Sequence, residues 1–291
     1  MLITVLKKYK ITPKKSLGQN FLNNPEAVNK LISFIDPSEE DVFIEIGSGL
    51  GALTFPLARK VKKIFAFETD NKLIKISEKL KQDLKNIEFI NQDILRLDIG
   101  EFIKGHLPAG EKARVAGNLP YYISTPILFQ LLKIKSYVKD ITVMLQKELA
   151  MRLMAGTNSR DYGSLSIFFQ VFADIKTGFE IEGSSFYPAP DVDSTVIKII
   201  PLPKPRIDIS DYEMFSRLVK TSFAQRRKTL RNNMKNLDEM KNNPQLIDSL
   251  FSSSGINPGA RAESLSVFEF KRLYDALLEI GFKGSGVQGV K

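Results

Sequence analysis

Val42-Phe43-Ile44-Glu45-Ile46-Gly47-Ser48-Gly49-Leu50-Gly51 decides the fold. Its apolar half reads as a short buried strand that runs straight into a turn of three glycines. Residues 52–61 then read as a helix. Strand, glycine turn and helix make the first unit of a doubly wound α/β fold. Glycine lets the backbone approach a ligand closely, and the helix start offers free N–H groups. Upstream, Val28, Leu31, Ile32 and Ile35 have helical spacing. Downstream, 64–67 and 87–90 repeat the strand pattern, with a helix over 72–84 between them. Residues 115–117 and 140–145 add two more strands, 176–181 and 194–200 a further pair, and 164–174 fits either helix or strand.

The strand ends carry the chemistry. The glycine run also satisfies G-x-G-x-x-A, and Glu68 follows at the distance of a ribose-binding acid, so the loop by itself implies only an adenosine-containing cofactor. Two features tilt away from a nicotinamide dinucleotide. Glu45, two residues before Gly47, places a carboxylate where a cationic cofactor would lie, and a second acid, Asp93, ends the next strand where it can accept from an adenine amino group. All these ends converge on the crevice where open α/β sheets bind ligands.

The fourth strand end is Asn118-Leu119-Pro120-Tyr121-Tyr122. Pro120 cannot continue a central strand and holds Leu119 extended. An amide oxygen at Asn118 and a backbone carbonyl near Leu119 suit the two N–H groups of an exocyclic base amine. Tyr121 is placed to stack on one face of that base and Phe186 on the other. The prolines of Phe186-Tyr187-Pro188-Ala189-Pro190 hold Phe186 outward in this reading; a core position is the alternative. A base so gripped must be unpaired or flipped out.

Composition narrows the classes. There is no cysteine and a single histidine, His106, in an apparent loop, which removes thiolate sites, histidine metal clusters and Ser-His-Asp triads. The lysines follow the short N-terminal apolar run instead of preceding it, the wrong order for a secretory signal, and no run approaches a membrane span, so a cytoplasmic protein is expected. The net charge of +9 is uneven: residues 1–24 hold +5, 25–203 hold −1 and 204–291 hold +5. A neutral body with two basic ends points to polyanion contacts. The first end reads as a mobile arm, with a docked segment as the alternative.

Pro201-Leu202-Pro203-Lys204-Pro205 is the best linker, dividing a catalytic domain, 1–204, from a helical domain, 205–291. Helices are expected over 211–222, 224–234, 244–253 and 266–280. Their core positions would be Phe215, Leu218, Leu230, Met234, Leu250, Leu265, Phe268, Leu273 and Leu277. Arg227, Arg231 and Lys235 would share one helix face, flanked by Arg226 and Lys228, as a phosphate-binding stripe or a solvated face. The tail 283–291 reads as disordered.

These motifs, with Leu17-Gly18-Gln19-Asn20-Phe21-Leu22, the Phe186-x-Pro188-x-Pro190-x-Val192-x-Ser194 run and Gln225-Arg226-Arg227-Lys228-Thr229, resemble the small-subunit (16S) rRNA adenine dimethyltransferases of the KsgA/Dim type. The resemblance spans nearly the whole chain. It implies a class I, Rossmann-like methyltransferase sheet with a small helical C-terminal domain. It also implies contacts to S-adenosyl-L-methionine from Asn20, Leu22, Gly47, Glu68, Asp93 and Asn118. The implied reaction is N6,N6-dimethylation of two adjacent adenosines in a hairpin loop near the 3′ end of small-subunit rRNA, within an immature 30S particle, by a monomer with no metal. The alternatives are a 23S rRNA adenine methyltransferase of the macrolide-resistance type, an NAD-dependent oxidoreductase, and a non-catalytic ribosome-assembly factor.

Overall fold

The computed structural model describes residues 2–14, 17–241 and 243–281. Lys15 and Ser16 of the basic arm and the tail 283–291 lie outside the described residues. Along the first part run α1 (Leu2–Lys8), β1 (Phe21–Leu22), α2 (Pro25–Ile35), β2 (Val42–Ile46), α3 (Thr54–Ala58), β3 (Lys63–Glu68), α4 (Asn71–Leu80), β4 (Ile87–Asn91), α5 (Ile99–His106), β5 (Ala113–Asn118), α6 (Ser124–Lys133) and β6 (Val138–Gln146). After them come α7 (Lys147–Met154), α8 (Ser164–Phe172), β7 (Ala173–Ile181), β8 (Phe186–Tyr187) and β9 (Ser194–Pro201). The remaining helices are α9 (Tyr212–Ser222), α10 (Leu230–Met234), α11 (Pro244–Ser254) and α12 (Val267–Glu279).

Seven strands form one sheet in the order β4-β3-β2-β5-β6-β9-β7. The run from β4 to β6 is parallel, and β9 joins β6 antiparallel. Every residue of β2 is buried, as expected of a parallel strand covered on both faces. The order reverses between β2 and β5, so a crevice opens at their C-terminal ends. Gly117 lets those two strands meet: a Cβ there would lie 2.4 Å from the Ile46 carbonyl oxygen. Helix starts follow their caps. The Asn24 side chain accepts from Glu26 and Ala27 N–H, and Asp70 and Asp98 cap α4 and α5.

Several expectations change. The helix after the glycine turn is shorter than 52–61, because residues 50–53 are still turn. His106 ends α5 instead of lying in a loop; its Nδ1 sits 2.8 Å from Phe102 O and its ring stacks on Phe102. The described residues of the arm are docked, the alternative to a free arm. Leu6 of α1 is buried with Phe21, Leu50, Leu73 and Ile76, and Lys14 pairs with Asp70 at 2.8 Å. No helix among the described residues is long and apolar enough to cross a membrane.

The chain forms two compact units. The first holds the sheet, running to Ala150 and resuming over Asp174–Pro203; the second comprises Met151–Ala173 and the described residues from Lys204 onward. The proline-rich linker therefore marks one boundary, but 151–173 group with the C-terminal helices. Within that second unit, the ring of Phe168 meets Phe215 and Tyr212, and the Tyr162 hydroxyl donates to Leu265 O at 2.9 Å. Phe268 is not core. It is 64% exposed, because α12 turns Val267, Phe270, Leu273, Tyr274 and Leu277 inward instead. The other eight predicted positions are buried.

Candidate active site

A cavity of about 400 Å³ opens at the C-terminal ends of β2, β3 and β5, a size suited to one small organic ligand. Asn20, Leu22, Gly47, Glu68, Asp93 and Asn118 all line it, so the predicted cofactor residues come together from five separate segments. Leu119, Tyr121 and Phe186 do not line it.

The glycine loop departs from expectation. Gly47, Gly49 and Gly51 all have positive φ, as the turn requires. Yet four of the loop N–H groups are already used. Gly47 and Ser48 donate to Phe67 O at 2.9 and 3.1 Å, Gly49 donates to Glu68 Oε2 at 3.0 Å, and Gly51 donates to Ser48 O. Glu68 Oε1 also accepts from the Thr69 and Asp70 N–H groups, which orients its carboxylate. Asp93 Oδ1 accepts from Leu95 N–H at 3.0 Å. A dinucleotide pyrophosphate needs free N–H donors at this loop, and these four are spent.

What remains unsatisfied at the cavity is mostly acceptor. The buried atoms Glu45 Oε2, Ser48 Oγ and Asn118 Oδ1 belong to lining residues and have no hydrogen-bond partner among the described residues. Buried polar groups are normally paired, so a ligand or water in this cavity would be their natural partner. Asn118 Nδ2 donates to Asn20 O at 2.9 Å; because that partner is a carbonyl, the amide must present its oxygen on the other side. Glu45 is 2% exposed, and burial pushes its carboxyl up to about 7. The neighbouring Glu68 charge adds to that rise, while Thr54 opposes it. No cation stands among the groups acting on Glu45.

The aromatic assignments change most. Phe186 is only 4% exposed: it pairs with Leu22 across the β1–β8 ladder and packs into the core with Ile181 and Val196. The outward residue of β8 is Tyr187. The Tyr121 hydroxyl is 2.8 Å from Ser194 Oγ, and burial raises its pKa. Leu119 is buried, its N–H on Met144 O. The ring that lines the mouth is Tyr122, to which the Asn118–Tyr121 motif assigns no role. Its signal was a second tyrosine after Pro120 on no apolar periodicity.

The basic residues are likewise rearranged. Residues 223–227 form turns, and α10 covers only Leu230–Met234, capped by Thr229. Arg227, Arg231 and Lys235 therefore do not share a helix face. The buried Asn233 side chain donates to Ser222 O and Gln225 O and accepts from Gln225 N–H, which folds the turn and displays Arg226, Arg227 and Lys228 to solvent. Arg231 instead pairs with Asp248.

The family model described as ribosomal RNA adenine dimethylase matches residues 11–278. A protein of Bacillus mycoides named ribosomal RNA small subunit methyltransferase A is 41% identical over 275 residues, 94% of each chain. One of Bacillus cytotoxicus with the same name is 40% identical over the same coverage. Among solved structures, a dimethyladenosine transferase from Plasmodium falciparum shares the fold at a TM-score of 0.71, 24% identity, and 90% and 98% coverage of the two chains. The 23S rRNA methyltransferase ErmE aligns at 0.65 and 21%, covering 89% and 99%.

Proposed function

Because the chain belongs to the ribosomal RNA adenine dimethylase family, we propose that it converts two adjacent adenosines of small-subunit rRNA to N6,N6-dimethyladenosine, using S-adenosylmethionine. The observation that carries this reading is the buried, unpartnered Oδ1 of Asn118 at the tip of β5, beside the glycine loop. The small-subunit assignment is favoured over the 23S type because relatives at 40–41% identity are named for the small subunit, whereas ErmE shares the fold alone. The spent loop N–H groups disfavour a dinucleotide oxidoreductase.

S-adenosylmethionine suits an acceptor-rich cavity. Glu68 would take its ribose hydroxyls, Asp93 its adenine amine, and Glu45 would face its positive end, with Asn20, Leu22 and Gly47 closing around it. When bound it supplies an electrophilic methyl group. The chain's task is then to present the base nitrogen. An adenine amine is a poor nucleophile, since its lone pair is delocalised into the ring. Accepting one N–H at Asn118 Oδ1 and the other at a backbone carbonyl near Leu119 restores density there and favours a pyramidal nitrogen. Positioning supplies much of the rate, and the proton leaves to water. Tyr121, tied to Ser194, holds the turn that aims Asn118. The exposed Arg226, Arg227 and Lys228 would meet rRNA phosphates on an immature 30S particle, engaged by one monomer in the cytoplasm.

Asn118→Ala tests the reading. We expect methyl transfer to small-subunit particles to fall by a factor of 10² or more, while S-adenosylmethionine still raises the melting temperature and NAD does not. Transfer at the wild-type rate would remove the amide from the mechanism.

A further inference from the structure

Of the three aromatics near the active-site turn, one shows its ring at the cavity mouth. Phe186 is in the core and Tyr121 is tied to Ser194 away from the lining, but Tyr122 lines the cavity and is 58% exposed. Its ring runs along the bare backbone of Gly18 in the arm. A Cβ at Gly18 would stand 3.2 and 3.5 Å from Tyr122 Cδ1 and Cε1. The turn carrying Tyr122 is held at both ends. Ser124 Oγ and Ile123 N–H both donate to Pro120 O, and Asn118 Nδ2 ties the turn's approach to Asn20. A large ring fixed in the open, with no hydrogen bond among the described residues drawing it there, is a preorganised stacking surface, and every base has a face to stack on it.

We propose that Tyr122 is the platform on which the base next to the reacting adenosine stacks. While one adenosine of the pair is held at Asn118, its neighbour is held on Tyr122, and the two exchange places for the second site. This rests on the proposed reading that the substrate is a pair of adjacent adenosines. It adds that the pair is recognised through a second contact, at the cavity mouth, that any base can make and a purine makes best.

The test uses full-length wild type, Tyr122→Ala and Tyr122→Phe on small-subunit particles reconstituted with rRNA. The rRNA carries either both target adenosines or uridine, the weaker stacker, in place of one. On the two-adenosine particle, Tyr122→Ala should raise KM about five- to a hundredfold, the range of one lost stack. Tyr122→Phe should remain close to wild type. On the uridine particle the alanine penalty should shrink severalfold, because the stack is already weakened. Equal penalties on both particles would overturn the proposal. So would loss of the melting-temperature rise with S-adenosylmethionine in Tyr122→Ala, which would make Tyr122 a support for the arm at Gly18. If the wild type itself leaves the two-adenosine particle unmethylated, the underlying reading has failed, and the wild-type arm shows that independently.

Discussion

Replacing Glu45 by glutamine tests whether the cavity is built for a cation. Glu45 is buried at the end of β2, its Oε2 has no partner, and its carboxyl is raised from 4.5 to about 7. The native state thus favours the protonated acid. Its penalty for ionisation is absent below about pH 4.5, grows as pH rises, and is complete above about 7. At 1.36 kcal/mol per pKa unit, the full penalty is about 3 kcal/mol. Part of it is already present at pH 5.5, so moving from pH 5.5 to 8.5 adds about 2 kcal/mol. Glu45→Gln removes the titration. The ligand-free variant should therefore gain on the wild type by about 4–8 °C in melting temperature between those two pH values. Differential scanning calorimetry without ligand reads this directly. S-adenosylmethionine should stabilise the variant less than the wild type, since the carboxylate is lost. A melting difference that stays constant from pH 5.5 to 8.5 would refute the reasoning, because it would mean that Glu45 is ionised in the free protein at no cost.

Converting Arg226, Arg227 and Lys228 together to alanine should flatten the dependence of rRNA affinity on log salt by about 2, as expected for lost phosphate contacts. Arg231→Ala should change that slope less, its guanidinium being engaged by Asp248; a larger effect from Arg231 would reverse the assignment. Arg114 is buried between Asp41 and Asp140, at 2.6 and 3.0 Å, and also bonds the carbonyls of Ile35 and Asp36. Arg114→Leu should destabilise the sheet-bearing unit by about 3–5 kcal/mol in urea unfolding, since it leaves buried carboxylates unpaired. A loss under 1 kcal/mol would show that water or Lys139 takes over.

The strands were legible because parallel strands covered on both faces read as unbroken apolar runs, and each ended at a turn residue or a carboxylate. Hence Glu68, Asp93 and Asn118 were found together at one crevice. What stayed hidden depended on partners distant in sequence. Phe186 is inward only because β1 pairs with β8, and the arm docks only because Leu50, Leu73 and Ile76 offer Leu6 a surface. The 224–234 stretch has helical spacing, but Asn233 and the Thr229 cap hold its first half as a turn. The spent N–H groups of the glycine loop were invisible for the same reason, since Phe67 and Glu68 take them up from the neighbouring strand.

The most direct measurement is mass spectrometry of rRNA from small subunits lacking the modification, after incubation with this protein and S-adenosylmethionine. The account predicts two adjacent N6,N6-dimethyladenosines near the 3′ end of the small-subunit rRNA and no change in the large-subunit rRNA. Methylation confined to large-subunit rRNA, or none at all, would contradict it.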